Sequence, residues 1–406
     1  MENLFYAMIC LVTSNNLLRG QRMKIVVAID SLKGSLSSME AGAAAREGIL
    51  RVLPDANVVL KPIADGGEGT TEALVQGLGG KMVAITVQGP LGRPLLASYG
   101  FIENSHTAIL EMATAAGITI DAPKDRRPHQ ASTYGVGEMI RDGMQKGCRK
   151  FIIGIGGSAT NDGGIGMLKA LGVRFLDEHM EPVGAGAQAL AKVAHIDASA
   201  MLPQLKECHF HIACDVNNPL CGETGATYIF GPQKGLTSAD LPIIDEAMRH
   251  FACKVMAVTH TNHLNTAGAG AAGGLGFAFL SFLNSILSPG IDVVLEAISL
   301  EAELLQTDLV ITGEGRLDAQ TAMGKAPIGI ARLAKQYHCF VIAFAGSVAD
   351  DAGALNQAGI DAFFPIVRGI TSLEEAMSPV KAATNLSNSV EQALRLLSFH
   401  ANKSSN

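Results

Sequence analysis

The chain has 406 residues, of which 48% are hydrophobic and 17% are charged, and its formal net charge is −7. This composition excludes a largely disordered chain, because it holds enough apolar side chains to bury large cores, and at roughly 150 residues per domain the length suits two or three domains. The acidic balance, without a Lys/Arg block, argues against a nucleic-acid partner, since binding a phosphate backbone needs a basic face.

Residues 1–22 are predicted to be an extension outside the fold, because a buried strand begins only at "MKIVVAID", with Met23. The apolar run at 4–12 is short and follows no Lys or Arg, unlike a signal peptide. The stretch 274–287 is too short and too polar to span a bilayer. The scattered cysteines lack C-x-x-C spacing, which indicates reduced thiols. We therefore expect a cytoplasmic protein without a membrane partner.

Strand and helix patterns alternate at the start of this fold. Short apolar runs typical of buried parallel strands lie at 24–30 and 57–65, and helical patterns follow them at 40–53 and 68–78. From 89 to 289 the pattern changes to Gly/Pro turns, short alternating runs and interrupted helices. The strands "KFIIGIGG" and "HFHIACD" lie within this middle part.

The alternation resumes towards the C-terminus, with strand-like runs at 308–315, 339–346 and 361–367. Such alternation predicts a doubly wound parallel sheet. We therefore expect an α/β protein of two domains, in which a discontinuous outer domain, 23–88 plus 290–406, holds an inserted α/β domain, 89–289. The cleft between two such domains is the expected place for a small-ligand site.

Acidic residues end or follow five of the apolar runs, beside glycines or small hydroxyl residues: Asp30, Asp65, Asp162, Asp215 and Glu314. Each alone is explained equally well as a turn or helix-capping residue. Together at the carboxyl edge of a sheet, however, they would repel one another unless a cation lay among them. Mg²⁺ is the usual cation beside phosphates, so the pattern favours phosphoryl transfer.

The segment "FIIGIGGSATNDGG", 151–164, allows two interpretations. Its "GIGGSA" matches a dinucleotide fingerprint, which would indicate a nicotinamide-dependent oxidoreductase of small hydroxy acids. Against this, Asp162 would face the pyrophosphate where the next helix begins. The amides of Gly156, Gly157 and Ser158 are then better explained as donors to phosphate oxygens. A P-loop is excluded, because the chain has no G-x-x-x-x-G-K-[ST].

Seven segments resemble the bacterial glycerate kinase family, in the same order along the chain: "AIDSLKGSLS", "IADGGEGT", "GIGGSATNDGGIGML", "CDVNNPLCGETGA", "FGPQKG", "GAGAAGGLG" and "ITGEGRLDAQT". The resemblance runs from Met23 to about Leu397. It implies ATP- and Mg²⁺-dependent phosphorylation of D-glycerate, with 2-phosphoglycerate as the product in the enterobacterial members that this chain resembles most. It also implies a flavodoxin-like domain with an inserted second domain. The chain departs from the family at Leu32, where Phe is usual.

The physical requirements of phosphoryl transfer, which are position and charge, suggest roles for particular residues. Lys33, just beyond a strand end and before a helix N-terminus, is the candidate cation for phosphate, although a solvated surface lysine is the alternative. Asp162 and Asp215 are candidates for Mg²⁺ or for the attacking hydroxyl. The candidates for the catalytic base or for a further metal ligand are Asp65, Glu314 and Asp318.

Other residues are candidates for binding ATP or glycerate. Arg316 is the first choice for the substrate carboxylate, because a guanidinium binds it in a bidentate manner, although Arg316 could instead pair with Asp318. Ser35 is either a helix cap or a phosphate ligand, and Gly66 and Gly67 are assigned to the nucleotide. A non-catalytic regulator that binds a phosphate ligand is a third hypothesis. The oligomeric state is left open, with a homo-oligomer as one alternative.

Overall fold

The computed structural model describes residues 22–67 and 69–403. Apart from Arg22, the predicted extension lies outside the described residues. The chain divides into two compact units, residues 22–65 with 294–403, and residues 66–293. Among the described residues, no helix combines the length and the apolar character that crossing a bilayer requires.

The described strands are β1 (Lys24–Ile29), β2 (Asn57–Leu60), β3 (Lys81–Gln88), β4 (Pro94–Ile102), β5 (Thr107–Glu111), β6 (Lys150–Gly154), β7 (Arg174–Leu176), β8 (His195–Asp197), β9 (His209–Ala213), β10 (Ser285–Ser288), β11 (Leu309–Leu317), β12 (Phe340–Val348) and β13 (Ala362–Pro365).

The described α-helices are α1 (Ser38–Val52), α2 (Thr70–Leu78), α3 (Ala113–Ala116), α4 (Tyr134–Gln145), α5 (Ile165–Ala170), α6 (Ala226–Lys234), α7 (Asp240–Thr259), α8 (Ala271–Phe282), α9 (Gly290–Ala297), α10 (Leu300–Leu304), α11 (Ala326–Gln336), α12 (Ala354–Gln357), α13 (Leu373–Ala376) and α14 (Pro379–Lys403). Short 3₁₀ turns lie between some of them, at Pro123–Asp125, Ala187–Lys192, Pro203–Glu207 and Thr321–Met323.

The first unit is built on a parallel sheet with the strand order β2-β1-β11-β12-β13. Strand β1 pairs with β11 from Ile25↔Leu309 onwards, so the strands expected at 24–30 and 308–315 are neighbours in one sheet. Both are almost wholly buried, as their continuous apolar sequences predict. Connections leave β1 and β11 towards opposite edges of the sheet, which opens a crevice at the carboxyl ends of these two strands.

The second unit is built on a six-stranded sheet with the order β10-β9-β6-β5-β4-β3. Its strands β5, β6, β9 and β10 run in parallel, whereas β3 and β4 form an antiparallel extension. This pairing explains why the first boundary lies at residue 65 rather than 88, because β3 joins the sheet of the second unit. The return boundary falls inside α9, and the Gly290 amide donates to Asp215 Oδ1 at 2.8 Å, which ties the start of α9 to the second unit.

Helices α1 and α14 pack closely in the core of the first unit. A capping box starts α1, in which the Ser37 hydroxyl and the Glu40 carboxylate bond each other's backbone amides. Farther along α1, a Cβ placed on Gly48 would lie 2.2 Å from the Ser387 carbonyl oxygen of α14. At Gly42 in the same helix, the nearest atom would be a Leu60 methyl at 3.7 Å. The backbone approach of the two helices therefore requires glycine at 48 but not at 42.

We expect Gly48→Ala to destabilise the protein by about 1–3 kcal/mol, because the added methyl group would meet a backbone oxygen that cannot move away. Gly42→Ala is the matched control and should be neutral or stabilising by up to about 1 kcal/mol. Alanine has a higher helix propensity than glycine, and its Cβ would make an ordinary van der Waals contact with Leu60. Urea unfolding followed by circular dichroism measures both. An equal effect of the two substitutions would contradict the close packing of α1 on α14.

Candidate active site

A cavity of about 470 Å³ lies in the first unit, at the carboxyl ends of β1, β11 and β12. Open parallel sheets bind ligands at this edge. One part of its lining is charged or polar and consists of Asp30, Ser31, Lys33, Ser35, Asp65, Glu314, Arg316, Asp318, Lys325 and Ser347. The rest is apolar and comes mainly from residues 366–382.

A tight turn after β1 brings Lys33 to this cavity. The Leu32 amide donates to the Leu36 carbonyl at 2.8 Å, and Gly34 has φ = 78°, a conformation that glycine adopts without strain. Lys33 is exposed at the tip of the turn. Leu32 is only 5% exposed and belongs to the apolar core. Leucine in place of the family's usual Phe therefore keeps this core position apolar.

Asp30 was recognised in the sequence as an acidic residue at a strand end, but no catalytic or binding role was predicted for it. It follows β1, lines the cavity and is only 4% exposed. Burial raises its pKa to about 7, and the charges of Asp65 and Glu314 act in the same direction. The Ser31 amide, 2.6 Å from Oδ1, and Lys33 oppose the rise without cancelling it. Its position at a strand end was visible in the sequence, but the burial that changes its acidity was not.

Glu314 lies on β11 and is also largely buried. Its Oε1 accepts a hydrogen bond from the Thr321 hydroxyl at 2.5 Å. Burial raises the pKa of Glu314; the Thr321 hydroxyl and Lys325 lower it in part, while Asp318 and Asp65 raise it further. Asp30 and Glu314 are therefore two buried acids whose ionised forms a nearby cation would stabilise.

Basic groups share the same cavity. Lys325 is the N-cap residue of α11, where the helix dipole adds positive potential. The Arg316 side chain is 68% exposed, and its Nε lies 3.6 Å from Asp318 Oδ2, a long exposed pair that contributes little stability. The Ser35 Oγ is buried, and no described residue forms a hydrogen bond with it. Arg316 and Ser35 thus keep the capacity to bind a ligand.

The structure brings together six of the predicted site residues around this cavity: Lys33, Ser35, Asp65, Glu314, Arg316 and Asp318. Seven others belong to the second unit: Gly66, Gly67, Gly156, Gly157, Ser158, Asp162 and Asp215. Within the described ranges, 22–67 and 69–403, no group of three or more His, Cys, Asp or Glu side chains is arranged to hold a metal ion.

Asp162 lies in the interior of the second unit. Its side chain is completely buried. Oδ2 accepts hydrogen bonds from the amide and the hydroxyl of Thr133, both at 2.9 Å, and from the Gly166 amide at 3.2 Å, and Oδ1 accepts from the Gly164 amide at 3.1 Å. These bonds hold the loop before α5, so the capping explanation fits this residue, and its metal role stays a prediction.

The glycine loop after β6 has free amides at its tip. Gly156 and Gly157 are exposed, and no described residue accepts a hydrogen bond from the amides of Gly156, Gly157 or Ser158. A hydrogen bond from the Ile118 amide to the Gly157 carbonyl, at 2.8 Å, fixes the loop. Phosphate binding by these amides stays a prediction that this geometry permits.

Asp215 and Gly66 meet at the same backbone segment of the second unit. Asp215 is exposed, and its carboxylate accepts from the Gly290 amide. A Cβ on Gly66, where φ is 90°, would lie 2.5 Å from the Gly290 Cα. Gly66 therefore has a steric reason to be glycine, whereas the proposed metal role of Asp215 and the nucleotide role of Gly66 and Gly67 stay predictions.

Lys234, in the segment "FGPQKG", is a further residue without an assigned role. It is only 2% exposed, and its Nζ donates to the Thr160 carbonyl at 2.6 Å. Burial lowers the pKa of Lys234 to about 7, and the neighbouring charge of Asp162 limits the decrease. Lys234 thus fixes the buried end of the loop whose tip carries the free amides. The family motif was the sequence signal for it.

Comparisons with known proteins agree with the resemblance seen in the motifs. The model of the "Glycerate kinase family" matches residues 25–398. A glycerate kinase of Bacillus subtilis (strain 168) is 47% identical over 354 residues, which cover 87% of this chain and 93% of that protein. A glycerate 2-kinase of Escherichia coli (strain K12) is 45% identical with the same coverage of both chains.

A solved structure is similar over nearly the whole chain as well. It is that of a protein assigned as glycerate kinase 2 from Salmonella typhimurium LT2, which is 42% identical. The TM-score is 0.87, and the match covers 94% of this chain and 100% of the other.

We expect Asp162→Asn to lower stability by about 1–3 kcal/mol or more, because an amide nitrogen would replace a carboxylate oxygen that accepts buried hydrogen bonds. Since the loss is one of folding, added Mg²⁺ should not restore activity or the melting temperature. Thermal unfolding with and without Mg²⁺ measures this. Recovery at high Mg²⁺ would instead support Asp162 as a metal ligand.

Proposed function

Because the chain belongs to the glycerate kinase family, we propose that it transfers the γ-phosphoryl group of ATP to the 2-hydroxyl group of D-glycerate, forming 2-phosphoglycerate and ADP. The observation that carries this proposal is the cavity where basic side chains and buried carboxylates meet at the carboxyl ends of parallel strands. The name of the Escherichia coli relative, glycerate 2-kinase, supports the position of transfer. The oxidoreductase alternative has no support, since the family model and the named relatives are kinases.

The basic side chains suit the triphosphate. Phosphoryl transfer depends on positioning and on stabilising negative charge on the transferred group. Lys33 at the tip of its turn and Lys325 at the start of α11 both line the cavity, where their charges act on Asp30 and Glu314, respectively. Arg316, which is largely exposed, is the candidate for the glycerate carboxylate because its guanidinium can bind both oxygens.

We assign Asp30 as the group that accepts the proton of the attacking hydroxyl. It ends β1, faces the cavity and is nearly buried. As the hydroxyl oxygen of glycerate bonds to the γ-phosphorus and the bond to ADP breaks, the hydroxyl proton passes to the Asp30 carboxylate. A pKa of about 7 suits this role, because a base is most effective when its pKa lies near the working pH.

The donor set also fits Mg²⁺. Proteins commonly hold Mg²⁺ beside phosphates with only one or two carboxylates, the remaining ligands being phosphate oxygens and water. Asp65 and Glu314 are the residues that would hold it, since both line the cavity and each raises the electrostatic cost of ionising a neighbouring acid. When bound, the ion would neutralise charge on the phosphates.

Several finer features belong to the same proposal. The order β2-β1-β11-β12-β13 corresponds to 2-1-3-4-5 within the first unit, which supports the predicted flavodoxin-like architecture. The free amides of residues 156–158, in the second unit, stay predicted donors to phosphate oxygens. A cytoplasmic location and a homo-oligomeric state stay predictions.

Phosphorus NMR of the product formed from ATP, Mg²⁺ and D-glycerate tests the reaction directly. We expect the resonance of 2-phosphoglycerate, split by coupling to a single proton on C2. A resonance split by two protons would identify the 3-phosphate and refute the 2-position. Absence of any phosphoglycerate, from a protein that is folded by circular dichroism, would refute the kinase function.

The role of Asp30 predicts a pH dependence. The base works as the carboxylate, so kcat/KM of the wild-type protein should fall about tenfold per pH unit below the pKa of Asp30. Burial raises this pKa to about 7 in the metal-free protein, and Mg²⁺ bound by Asp65 and Glu314 would lower it. Asp30→Asn should lose about 10²–10⁴-fold in kcat and lack this acidic limb. Asp55→Asn, at an exposed turn after α1, is the matched control and should behave as wild type. An Asp30→Asn variant with the wild-type pH profile would exclude Asp30 as the base.

A further inference from the structure

The cavity of the first unit has two chemically different sides. The side formed by the ends of β1 and β11 is charged, whereas the side formed by residues 366–382 is apolar. The apolar side, named here the apolar wall, consists of Ile366, Val367, Leu373, Ala376, Met377 and Ala382. D-Glycerate has a carboxylate and two hydroxyl groups but no extended apolar surface, so it cannot pack against such a wall.

The apolar wall remains accessible to a ligand. The Leu373 side chain on α13 is 77% exposed, and Met377 after α13 is 36% exposed. Large apolar side chains so exposed at the rim of a cavity are typical of ligand-binding surfaces. Neither Glu374 nor Glu375 of α13 lines the cavity. The Glu375 carboxylate accepts a hydrogen bond from the Thr371 hydroxyl at 2.8 Å and pairs with Lys381 at 2.5 Å.

The wall also adjoins the group that is proposed to bind phosphate. The Met377 Cε would lie 2.5 Å from a Cβ on Gly34, so the end of this side chain rests on the turn that carries Lys33. A ligand in contact with the wall can therefore reach Lys33 through a short polar linkage. A flat apolar group joined to a chain of negative charges matches both sides of the cavity.

We propose that the apolar wall is the site of the purine base of the nucleotide, which packs against Leu373 and Met377 while its phosphates extend towards Lys33. The proposal rests on the kinase function above. It places the base of ATP, which takes no part in phosphoryl transfer, in the same cavity as the phosphates. Among the residues that line the cavity, none on the wall has a polar side chain. The base is therefore held by packing rather than by side-chain hydrogen bonds to its edge.

The test compares ADP, which carries adenine and ribose on two phosphates, with inorganic tripolyphosphate, which consists of phosphates alone, by isothermal titration calorimetry on the full-length protein. We expect the double variant Leu373→Ala/Met377→Ala to bind ADP about tenfold or more weakly, since two apolar contacts are lost. Its affinity for tripolyphosphate should be unchanged. In steady-state assays KM for ATP should rise by a similar factor, while KM for D-glycerate stays the same.

The matched control is Ile370→Ala/Val380→Ala. These two side chains flank the wall, are 109% and 78% exposed, and do not line the cavity, so ADP affinity should be that of wild type. The single variant Leu373→Ala removes a wall side chain without touching the Lys33 turn, and it should weaken ADP alone.

Three results would overturn the proposal: unchanged ADP affinity in the wall variants, an equal loss for ADP and tripolyphosphate, or a rise in KM for D-glycerate alone. The second result would mean that the wall only supports the Lys33 turn, and the third that glycerate occupies the cavity. A wild-type protein that binds ADP through the wall but phosphorylates no glycerate would reject the kinase function and leave the base site standing.

Discussion

The crowding of ionisable groups at the carboxyl ends of β1 and β11 is the constraint on which the site depends. Parallel pairing from Ile25↔Leu309 brings Asp30 and Glu314 to the same edge of the sheet. Both are largely buried, so each carries the cost of losing water in addition to the repulsion of Asp65. A folded protein keeps such a cluster only where protons, basic side chains or a bound cation offset that cost. The same cost makes Asp30 a weak acid and the cavity receptive to a metal-bound anion.

Glycines make this crowding sterically feasible. A Cβ on Gly313 would lie 2.0 Å from the Phe344 carbonyl oxygen, and one on Gly346 would lie 2.7 Å from the Gly315 carbonyl oxygen. A Cβ on Gly315 would be 3.7 Å from the Lys33 amide nitrogen. Gly313 and Gly346 therefore allow the ends of β11 and β12 to approach within backbone distance, whereas the distance at Gly315 is an ordinary contact.

Asp162 and Asp30 show that the same sequence pattern can have two physical outcomes. Each follows a buried strand and precedes small residues, and burial raises the pKa of both. Asp162 is surrounded by three amides and a hydroxyl that satisfy its oxygens, and it is fully enclosed. Asp30 accepts a bond from its neighbour Ser31 and faces a cavity. The difference lies in which groups the rest of the chain places around each carboxylate.

The sequence by itself determined the α/β class, the parallel strands and the family, because apolar runs, turn residues and motif order are local properties of the chain. It also located most of the charged and polar part of the cavity lining, including Lys33, Asp65 and Glu314, since parallel strands place their carboxyl ends at one edge. Only the tertiary structure decided that β3 joins the second sheet, that Asp162 is enclosed and that Asp30 faces the cavity. These outcomes depend on burial and on partners distant in sequence, such as Thr133 for Asp162 and Gly313 for Asp30, and no local pattern encodes such contacts.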